Sequence, residues 1–272
     1  MIFLSYGAEI MRFTGKSHGL PKAKEILPEL RNRATMVIFF RFGKMSNHLI
    51  IAIDGPSGSG KSTLGRMLAR ELGLLYIDTG SMYRAVALAV IESTSTSEQD
   101  DVAVASLAER IEIDLGGDPD SLHVSLNGRD VSDRVRDEDV TQVSSIVSTI
   151  PAVRRAMVKR QRELGQRGAV MNGRDIGTVV FPDADVKFFL DAAIEERAER
   201  RLAEEREHNP AATYDQTLAD ITERDRRDTT RADSPLVAAK DAIVIDSSGQ
   251  SIAEVFQRMM RIVREKKRSA AP

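Results

Sequence analysis

A buried strand followed by a glycine-rich turn, a helix and a second strand constrains this chain more than any other stretch. Leu49 to Ile53 is apolar and rich in β-branched residues without alternation, which is typical of a parallel strand buried on both faces. Apolar residues then recur at helical spacing from Leu64 to Leu72, and Leu74 to Ile77 is a second apolar run. Because parallel strands need such a crossover, we predict an α/β fold with helices on both faces of a parallel sheet.

Three further apolar runs, Ala169 to Asn172, Val186 to Leu190 and Ile243 to Asp246, are predicted to complete the sheet. The pattern changes between about residues 110 and 136, where apolar and polar residues alternate. Asn127-Gly128 stands there between two extended segments, and this dipeptide is a strong signal for a hairpin turn. We therefore predict a small antiparallel insert at about residues 110–136.

Helical periodicity covers most of the remaining chain. It predicts a helix from Val140 to Leu164, an Arg/Glu-rich helical stretch between Asp191 and Arg231, and an amphipathic terminal helix from Ile252 to Arg264. The basic residues that follow, Arg264 to Arg268, are expected to fray.

The first 44 residues differ in composition from the rest, with eight Lys/Arg against three Asp/Glu and no sustained apolar period. They lack the order of basic, apolar and small residues that a secretory signal has. Three interpretations stay open: a start codon upstream of a true start at Met45, a disordered extension, or a targeting arm. We expect an N-terminal arm over residues 1–44 and one domain over residues 45–272.

The composition excludes several classes of function. The 272 residues contain no cysteine, which excludes a cysteine nucleophile and cysteine-ligated metals and fits a reducing cytoplasm. The four histidines are scattered, and no run reaches the roughly 18 apolar residues of a membrane-spanning helix. A net charge of -2 gives no general basic field for nucleic acid. We expect a cytoplasmic monomer that acts on small molecules, with neither nucleic acid nor a membrane as partner.

Residues 55–63 match the P-loop pattern of Gly, four residues, Gly, Lys and Ser/Thr. In this motif backbone N–H groups and a helix N-terminus bind phosphates, and the strand before it and the helix after it fit that context. Lys61 would reach the β- and γ-phosphates of a nucleoside triphosphate, and the Ser62 hydroxyl would ligate Mg²⁺. The predicted nucleotide-binding residues are Gly55, Pro56, Ser57, Gly58, Ser59, Gly60, Lys61, Ser62 and Thr63.

A P-loop alone does not identify the reaction. The Asn-Lys-x-Asp motif of guanine-specific switches is absent from the sequence, and so is an apolar strand ending in Asp-Glu, which is typical of motor and transporter ATPases. The remaining P-loop class is a small-molecule kinase, which passes the phosphoryl group to an acceptor bound nearby.

Arginines recur where such an acceptor would bind. Arg84 and Arg174 lie in predicted loops at strand ends, and four arginines occur between Glu223 and Arg231. Ligands of open α/β sheets bind beyond the carboxyl ends of the strands, and the arginine fork binds phosphate oxygens in a bidentate manner. We therefore predict that these arginines hold an anionic acceptor.

The arginines between Glu195 and Glu207 have a different interpretation. Glu196 with Arg200 and Arg201 with Glu205 are spaced for i,i+4 ion pairs, which favours a solvated helix face.

Four motifs together closely resemble the bacterial cytidylate kinases: Ile53 to Lys61, Asp78 to Arg84, Gly173 to Pro182 and Arg224 to Arg231. The similarity runs from about His48 to Val263. It implies a P-loop three-layer α/β/α core with a parallel sheet, a small antiparallel monophosphate-binding insert and a short helical lid at about residues 191–215. It also implies phosphorylation of CMP or dCMP by ATP with Mg²⁺.

The resemblance further implies roles for individual residues. Ser145, Arg154 and Asp175 would face the cytosine. Asp228, supported by Arg224, would bind the ribose. Thr79, Arg84, Arg174 and Arg231 would bind the monophosphate, and the catalytic set would be Lys61, Arg84, Arg174 and Arg231.

Several of these assignments have alternatives. Ser145 fits an ordinary helix serine, Arg155 stands beside Arg154, and Asp228 fits an ion-pair partner for a neighbouring arginine. Arg197, Arg200 and Arg201 are equal candidates for a lid contact with the γ-phosphate. Two other functions also stay open: another P-loop kinase, for a different monophosphate or a metabolite such as shikimate, and a non-catalytic nucleotide sensor.

Overall fold

The structure is a computed structural model that describes residues 2–6, 9–13, 48–94, 96–119, 121–207 and 209–269. The chain divides into two units, Met1–Met45 and Ser46–Pro272. In the first unit, strands β1 (Ile2–Tyr6) and β2 (Glu9–Phe13) pair in antiparallel fashion. The rest of the predicted N-terminal arm over residues 1–44 lies outside the described residues, and its nature stays a prediction.

Strands and helices alternate along the second unit. Its strands are β3 (Ile50–Asp54), β4 (Leu75–Asp78), β5 (Ile113–Asp118), β6 (Ser121–Leu126), β7 (Arg129–Asp130), β8 (Ala169–Gly173), β9 (Val186–Asp191) and β10 (Ile243–Asp246). Its α-helices are α1 (Lys61–Leu72), α2 (Thr79–Glu92), α3 (Asp101–Arg110), α4 (Glu138–Val147), α5 (Pro151–Gly165), α6 (Ile194–Arg206), α7 (Tyr214–Thr230) and α8 (Ile252–Ser269). Within the described ranges, the helices all lack the length and apolar character needed to cross a membrane.

Five of the strands form a parallel sheet in the order β10-β9-β3-β8-β4. The central strand β3 is buried on both faces: Ile51 and Ile53 pack with apolar residues of α1 and α8, and Ala52 packs on the opposite side with Met171 and Ile176. The five predicted strands and the three-layer α/β/α core are thereby confirmed. Each strand ends at the same edge of the sheet, where the phosphate-binding turn follows β3.

The predicted antiparallel insert is also confirmed. β5, β6 and β7 form a separate three-stranded antiparallel sheet. Asn127 and Gly128 join the last two strands with φ values of 50° and 77°, the left-handed conformations that a tight hairpin turn requires. Gly116-Gly117-Asp118-Pro119 is a sequence typical of a break between extended segments, but β5 continues through Asp118, because residues 116–118 pair with residues 121–123 of β6.

Two helical predictions need correction. The single helix expected from Val140 to Leu164 is interrupted between Val147 and Pro151, because a proline is suited to the first turn of a new helix and not to a helix interior. The basic end of α8 does not fray: the helix continues to Ser269. Buried Val263 anchors this end, and cations are favourable near a helix C-terminus.

Gly165 provides a test of packing between α5 and the segment after β8. A Cβ at this position would lie 2.7 Å from Cε2 of Phe181 and 3.0 Å from Sδ of Met171. We expect Gly165→Ala to lower the free energy of unfolding by about 1–3 kcal/mol through overpacking, as measured by urea denaturation. In the control Gly116→Ala nothing lies within 4 Å of the new Cβ, so its stability should stay within about 0.5 kcal/mol. Equal stabilities of the two variants would contradict the packing argument.

Candidate active site

Three glycines shape the turn between β3 and α1. Gly55, Gly58 and Gly60 have φ values of 147°, 75° and 87°. A Cβ on Gly55 would lie 2.0 Å from the carbonyl oxygen of Leu190, and one on Gly58 would lie 2.5 Å from that of Arg197. At Gly55 and Gly58 the turn therefore packs directly against the backbone of β9 and α6, which leaves no room for a side chain at these two positions.

Lys61, the first residue of α1, is folded against this turn. Its Nζ donates to the carbonyl oxygen of Pro56 and, at 3.2 Å, to Oγ of Ser59. Burial lowers the pKa of Lys61 well below its usual value, and the positive charges of Arg174 and Arg224 lower it further. Because a buried cation beside other cations gains from a nearby anion, the charge distribution favours a phosphate here.

The hydroxyl of Ser62 is tied to the end of β8. Nδ2 of Asn172 donates to Ser62 Oγ at 3.0 Å and to the Tyr76 hydroxyl at 2.8 Å. The Asn172 carbonyl oxygen accepts a hydrogen bond from Thr79 Oγ1 at 2.7 Å. This network joins α1, β4, β8 and α2 at the carboxyl edge of the sheet and so holds the orientation of Ser62.

A cavity of about 980 Å³ opens beside the turn. Predicted site residues from five segments line it, namely Ser57, Ser62, Thr63, Arg84, Ser145 and Arg224. The insert, α4, α6 and α7 supply other parts of the wall. The cavity thus lies between the phosphate-binding turn and the elements that the sequence predicted to flank it.

Arg84 lies at the wall of this cavity. Its guanidinium is 3.8 Å from Oδ2 of Asp78, which also accepts a hydrogen bond from Ser81 Oγ at 2.9 Å. Nε of Arg84 is buried without a hydrogen-bond partner, and burial lowers the pKa of this residue. Arg84 is therefore a partly buried cation at the cavity wall. It lies in α2 and not in the loop that the sequence predicted, because α2 begins directly after β4 with Asp78 as its capping residue.

Arg174, Asp228 and Arg231 form an ion-pair cluster nearby. Arg174 Nε donates to Asp228 Oδ2 at 2.8 Å, and Arg231 donates to the other carboxylate oxygen at 3.3 Å and to the carbonyl oxygen of Ser234 at 2.7 Å. Burial alone would raise the pKa of Asp228, but Arg174, Arg224 and Arg231 outweigh it and hold this pKa below its usual value. Both carboxylate oxygens of Asp228 are therefore engaged by arginines in this structure.

Arg224 belongs to the same cluster. Burial lowers its pKa to about 9, with a further contribution from Arg174 and an opposing one from Asp228. The charge of Asp228 thus offsets part of the effect of burial on Arg224, while Arg84, Arg174 and Arg201 act in the opposite direction.

Arg154 and Asp175 form an almost completely buried pair, with 2.5 Å between Arg154 Nη2 and Asp175 Oδ2. Arg154 also donates to the carbonyl oxygen of Ser148 at 3.2 Å and lies 5.5 Å from the ring centroid of Tyr83. The neighbouring Arg155 is exposed, so Arg154 is the arginine that meets Asp175. These two predicted base-binding residues contact each other and lie outside the cavity wall.

Ser145 faces α7 across the cavity. Its Oγ accepts a hydrogen bond from Arg227 at 3.3 Å, and Arg227 in turn pairs with Glu223 at 2.8 Å. Ser145 and Arg227 thus lie together at the cavity wall. From the sequence, Arg227 belonged to the arginine cluster but had no predicted role.

The three arginines of α6 have different surroundings. Arg197 is buried and donates to the Ser57 carbonyl oxygen at 3.1 Å and to Asp225 at 2.6 Å. Arg200 pairs with Glu196 at 3.0 Å, and Arg201 pairs with Glu205 at 2.8 Å. Both predicted i,i+4 pairs are confirmed, and of the three arginines Arg201 lines the cavity.

Sequence reasoning missed Asp54, Asn172 and Arg227. Asp54 directly precedes the phosphate-binding turn, and Asn172 ends a strand at the same edge of the sheet. The positions of Asp54 and Asn172 at strand ends could have indicated that both residues lie at the site. Their partners were not predictable from spacing, because those partners come from other parts of the chain.

The phosphate-binding turn at the end of the central parallel strand defines the class, a P-loop α/β protein, and a cavity lined by both arginines and carboxylates opens beside this turn. The family model described as cytidylate kinase matches residues 51–265. The chain belongs to the cytidylate kinase family.

Curated relatives agree with this assignment. A cytidylate kinase of Solibacter usitatus is 48% identical over 222 residues, which cover 80% of this chain and 93% of the relative. A cytidylate kinase of Desulforamulus reducens is 48% identical and one of Bacillus velezensis is 44% identical, each over 225 residues that cover 82% of this chain and 100% of the relative.

Gly58 and Gly60 allow the close approach of α6 to be tested. Both have positive φ, so an alanine at either position carries a strain of about 1–2 kcal/mol. Only at Gly58 does the Cβ also collide with a carbonyl oxygen; at Gly60 the nearest atoms are 3.7 Å away. We expect Gly58→Ala to weaken ATP binding about tenfold more than Gly60→Ala, which corresponds to about 1.4 kcal/mol in calorimetric titration. Similar affinities would show that the contact with α6 does not matter for binding.

Proposed function

We propose that this chain transfers the γ-phosphoryl group of ATP to CMP or dCMP and so produces ADP with CDP or dCDP. The observation that carries this proposal is the 44% to 48% identity to named cytidylate kinases over about four fifths of the chain. The phosphate-binding turn and the arginine-rich cavity supply the donor side and the acceptor side that this reaction needs.

The donor side is the turn over residues 55–60 with Lys61, Ser62 and Thr63. Backbone N–H groups and the N-terminus of α1 bind the phosphates of ATP, and Lys61 approaches the β- and γ-phosphates. The lowered pKa of Lys61 supports this role, because a bound triphosphate restores the charged form that burial disfavours.

The residues at the turn also fit Mg²⁺. Ser62 and Asp78 present oxygen ligands to the same cavity, and oxygen is the ligand type that Mg²⁺ prefers. Within the described residues no cluster of three or more His, Cys, Asp or Glu side chains could hold a metal, in keeping with an ion bound mainly by phosphates and water. When bound, Mg²⁺ supplies positive charge that offsets the charge of the transferred group.

The acceptor phosphate binds among Arg84, Arg174 and Arg231, with Thr79 beside them. Asp228, supported by Arg224, binds the ribose hydroxyls. The lowered pKa values of Arg84 and Arg224 support these roles, since a bound monophosphate favours the charged form that burial disfavours.

Ser145, Arg154 and Asp175 read the cytosine. Cytosine offers acceptors at O2 and N3 to an arginine and an N4 amine to a carboxylate or hydroxyl. Uracil has a carbonyl in place of that amine, so a carboxylate disfavours it. The Arg154–Asp175 pair supports this proposal, because it holds a donor and an acceptor side by side.

Phosphoryl transfer in this site depends on positioning and charge. An acceptor phosphate oxygen attacks the γ-phosphorus in line, and the bond to the β–γ bridging oxygen breaks as ADP leaves. Lys61 and the arginines stabilise the charge on the transferred group. The lid at residues 191–215, which contains α6 and Arg201, closes over the site and excludes water. The proposed setting is pyrimidine nucleotide metabolism in the cytoplasm, with the enzyme acting as a monomer.

A panel of acceptors tests this function. Coupled assays that detect ADP are run with CMP, dCMP, UMP, AMP and shikimate, and we expect the highest kcat/KM for CMP or dCMP. Preference for another acceptor would identify a different P-loop kinase, and nucleotide binding without turnover would identify a sensor.

The base-reading role of Asp175 can be tested separately. We expect Asp175→Ala to lower the discrimination of CMP over UMP by about 1–3 kcal/mol, the usual value of one good base contact. Asp183→Ala, which alters an exposed aspartate, serves as control and should leave the CMP/UMP ratio unchanged. An unchanged ratio in Asp175→Ala would refute the role.

Arg224 and Arg226 form a second matched pair on α7. Arg224 lines the cavity, whereas Arg226 is exposed and paired with Glu223 at 2.8 Å. We expect Arg224→Ala to weaken CMP binding at least about tenfold, or about 1.4 kcal/mol, while thermal stability does not fall, because like-charge repulsion with Arg174 is relieved. Arg226→Ala should change neither property. Unaltered CMP affinity in Arg224→Ala would exclude it from the acceptor site.

A further inference from the structure

Asp54, the last residue of β3, is a buried carboxylate that the proposed chemistry does not use. Its side chain is shielded from solvent, and both oxygens are occupied: Oδ1 accepts from the backbone N–H of Ile176 and Oδ2 from that of Gly177, each at 2.8 Å. These amides begin the π-helical turn Ile176–Val180, which follows β8. A side chain from one strand thus caps a turn that belongs to the neighbouring strand.

The capping position of this turn is occupied by Asp175. An aspartate there ordinarily bonds the first free N–H groups of its own helical turn. The side chain of Asp175 makes no such bond, and its Oδ2 instead accepts from Arg154 at 2.5 Å. Because Asp54 satisfies the amides, the Asp175 carboxylate is released from that local role.

The register of the sheet makes this exchange possible. β3 and β8 are parallel neighbours in which Asp54 lies opposite Gly173. Asp54 is therefore level with the residues just before the turn, and its carboxylate reaches the amides directly. The same residue precedes Gly55, so one side chain connects the phosphate-binding turn with the Arg174-Asp175 segment.

The electrostatic environment of Asp54 disfavours its charged form. Burial raises the pKa of Asp54 to about 6, and nearby Asp175 adds to this, although the two N–H groups and Lys61 oppose it. The side chain of Lys187 packs against Gly177 from β9. Ionised Asp54 is thus held against a desolvation penalty, as is common at functional positions.

We propose that Asp54 is a positioning residue for base selectivity: by capping the turn at Ile176 and Gly177, it keeps the carboxylate of Asp175 paired with Arg154, in the orientation that reads the substrate base. The inference rests on the proposed function. Without Asp54, the Asp175 side chain is the nearest group able to cap its own turn, and it then leaves Arg154.

The test is Asp54→Asn, which keeps the shape but replaces one acceptor oxygen by a donor amide. We expect kcat/KM for CMP to fall at least tenfold and the CMP/UMP ratio to approach that of Asp175→Ala, while ATP affinity changes less than threefold. Adding Asp54→Asn to Asp175→Ala should not lower the ratio further, because both changes act through the same carboxylate.

Asp185→Asn is the matched control. Oδ2 of Asp185 accepts from the backbone N–H of Ile50 at 2.7 Å, so it makes the same kind of bond at the opposite end of β3. Its CMP/UMP ratio should equal that of the wild type. An equal loss of activity toward CMP and UMP in Asp54→Asn, with the ratio preserved, would overturn the inference and leave Asp54 a purely structural role.

The acceptor preference of the wild-type enzyme distinguishes this outcome from failure of the proposed function. If the unaltered enzyme does not prefer CMP, the proposed function fails; if it does and Asp54→Asn keeps the ratio, only the inference fails.

A measurement without substitution covers the case in which Asp54→Asn does not fold. The amide proton resonances of Ile176 and Gly177 in the wild type should titrate together with a midpoint near the pKa of about 6. As the pH is lowered through the same range, the CMP/UMP ratio should fall. Ionisation of the substrate phosphate does not affect this ratio, because it is common to both substrates. Amide resonances that titrate while the CMP/UMP ratio stays constant would overturn the inference.

Discussion

The burial of positively charged side chains is the constraint on which the site depends. Lys61, Arg84 and Arg224 all have lowered pKa values, and burial is the main cause in each case. Such groups destabilise the free protein, because desolvation of a cation is unfavourable until an anion compensates it. The stability of the core offsets this penalty. A bound phosphate then offsets part of the desolvation penalty of these cations.

The buried aspartates of this site respond to their surroundings in opposite ways. The pKa of Asp228 is lowered because three arginines outweigh its burial, whereas that of Asp54 is raised because two backbone amides do not. Asp228 therefore stays ionised over the whole working range, and Asp54 approaches neutrality in mild acid. The pKa values of two aspartates are thus shifted in opposite directions, because the hydrogen-bond donors of Asp228 are charged and those of Asp54 are neutral.

The sheet and the phosphate-binding turn were predictable because their signals are local: apolar runs for β3 and β8, and glycine spacing over residues 55–60. The Asn127-Gly128 hairpin was predictable for the same reason. Side-chain partners were not, since the bond from Asp54 to Ile176 spans 122 residues and that from Asn172 to Ser62 spans 110. Such pairs depend on the order of strands in the sheet, which residue spacing does not encode.

The contact of Arg197 with the Ser57 carbonyl oxygen and the tight approach at Gly58 have a mechanical consequence for α6. They fix the first turn of this helix against the phosphate-binding turn. The other end of the helix is held as well, because Glu205 accepts from Thr217 Oγ1 at 2.8 Å and Arg206 donates to the carbonyl oxygen of Ala212 at 3.3 Å. A displacement of α6 is therefore transmitted at once to the backbone of the phosphate-binding turn and to the segment that leads into α7.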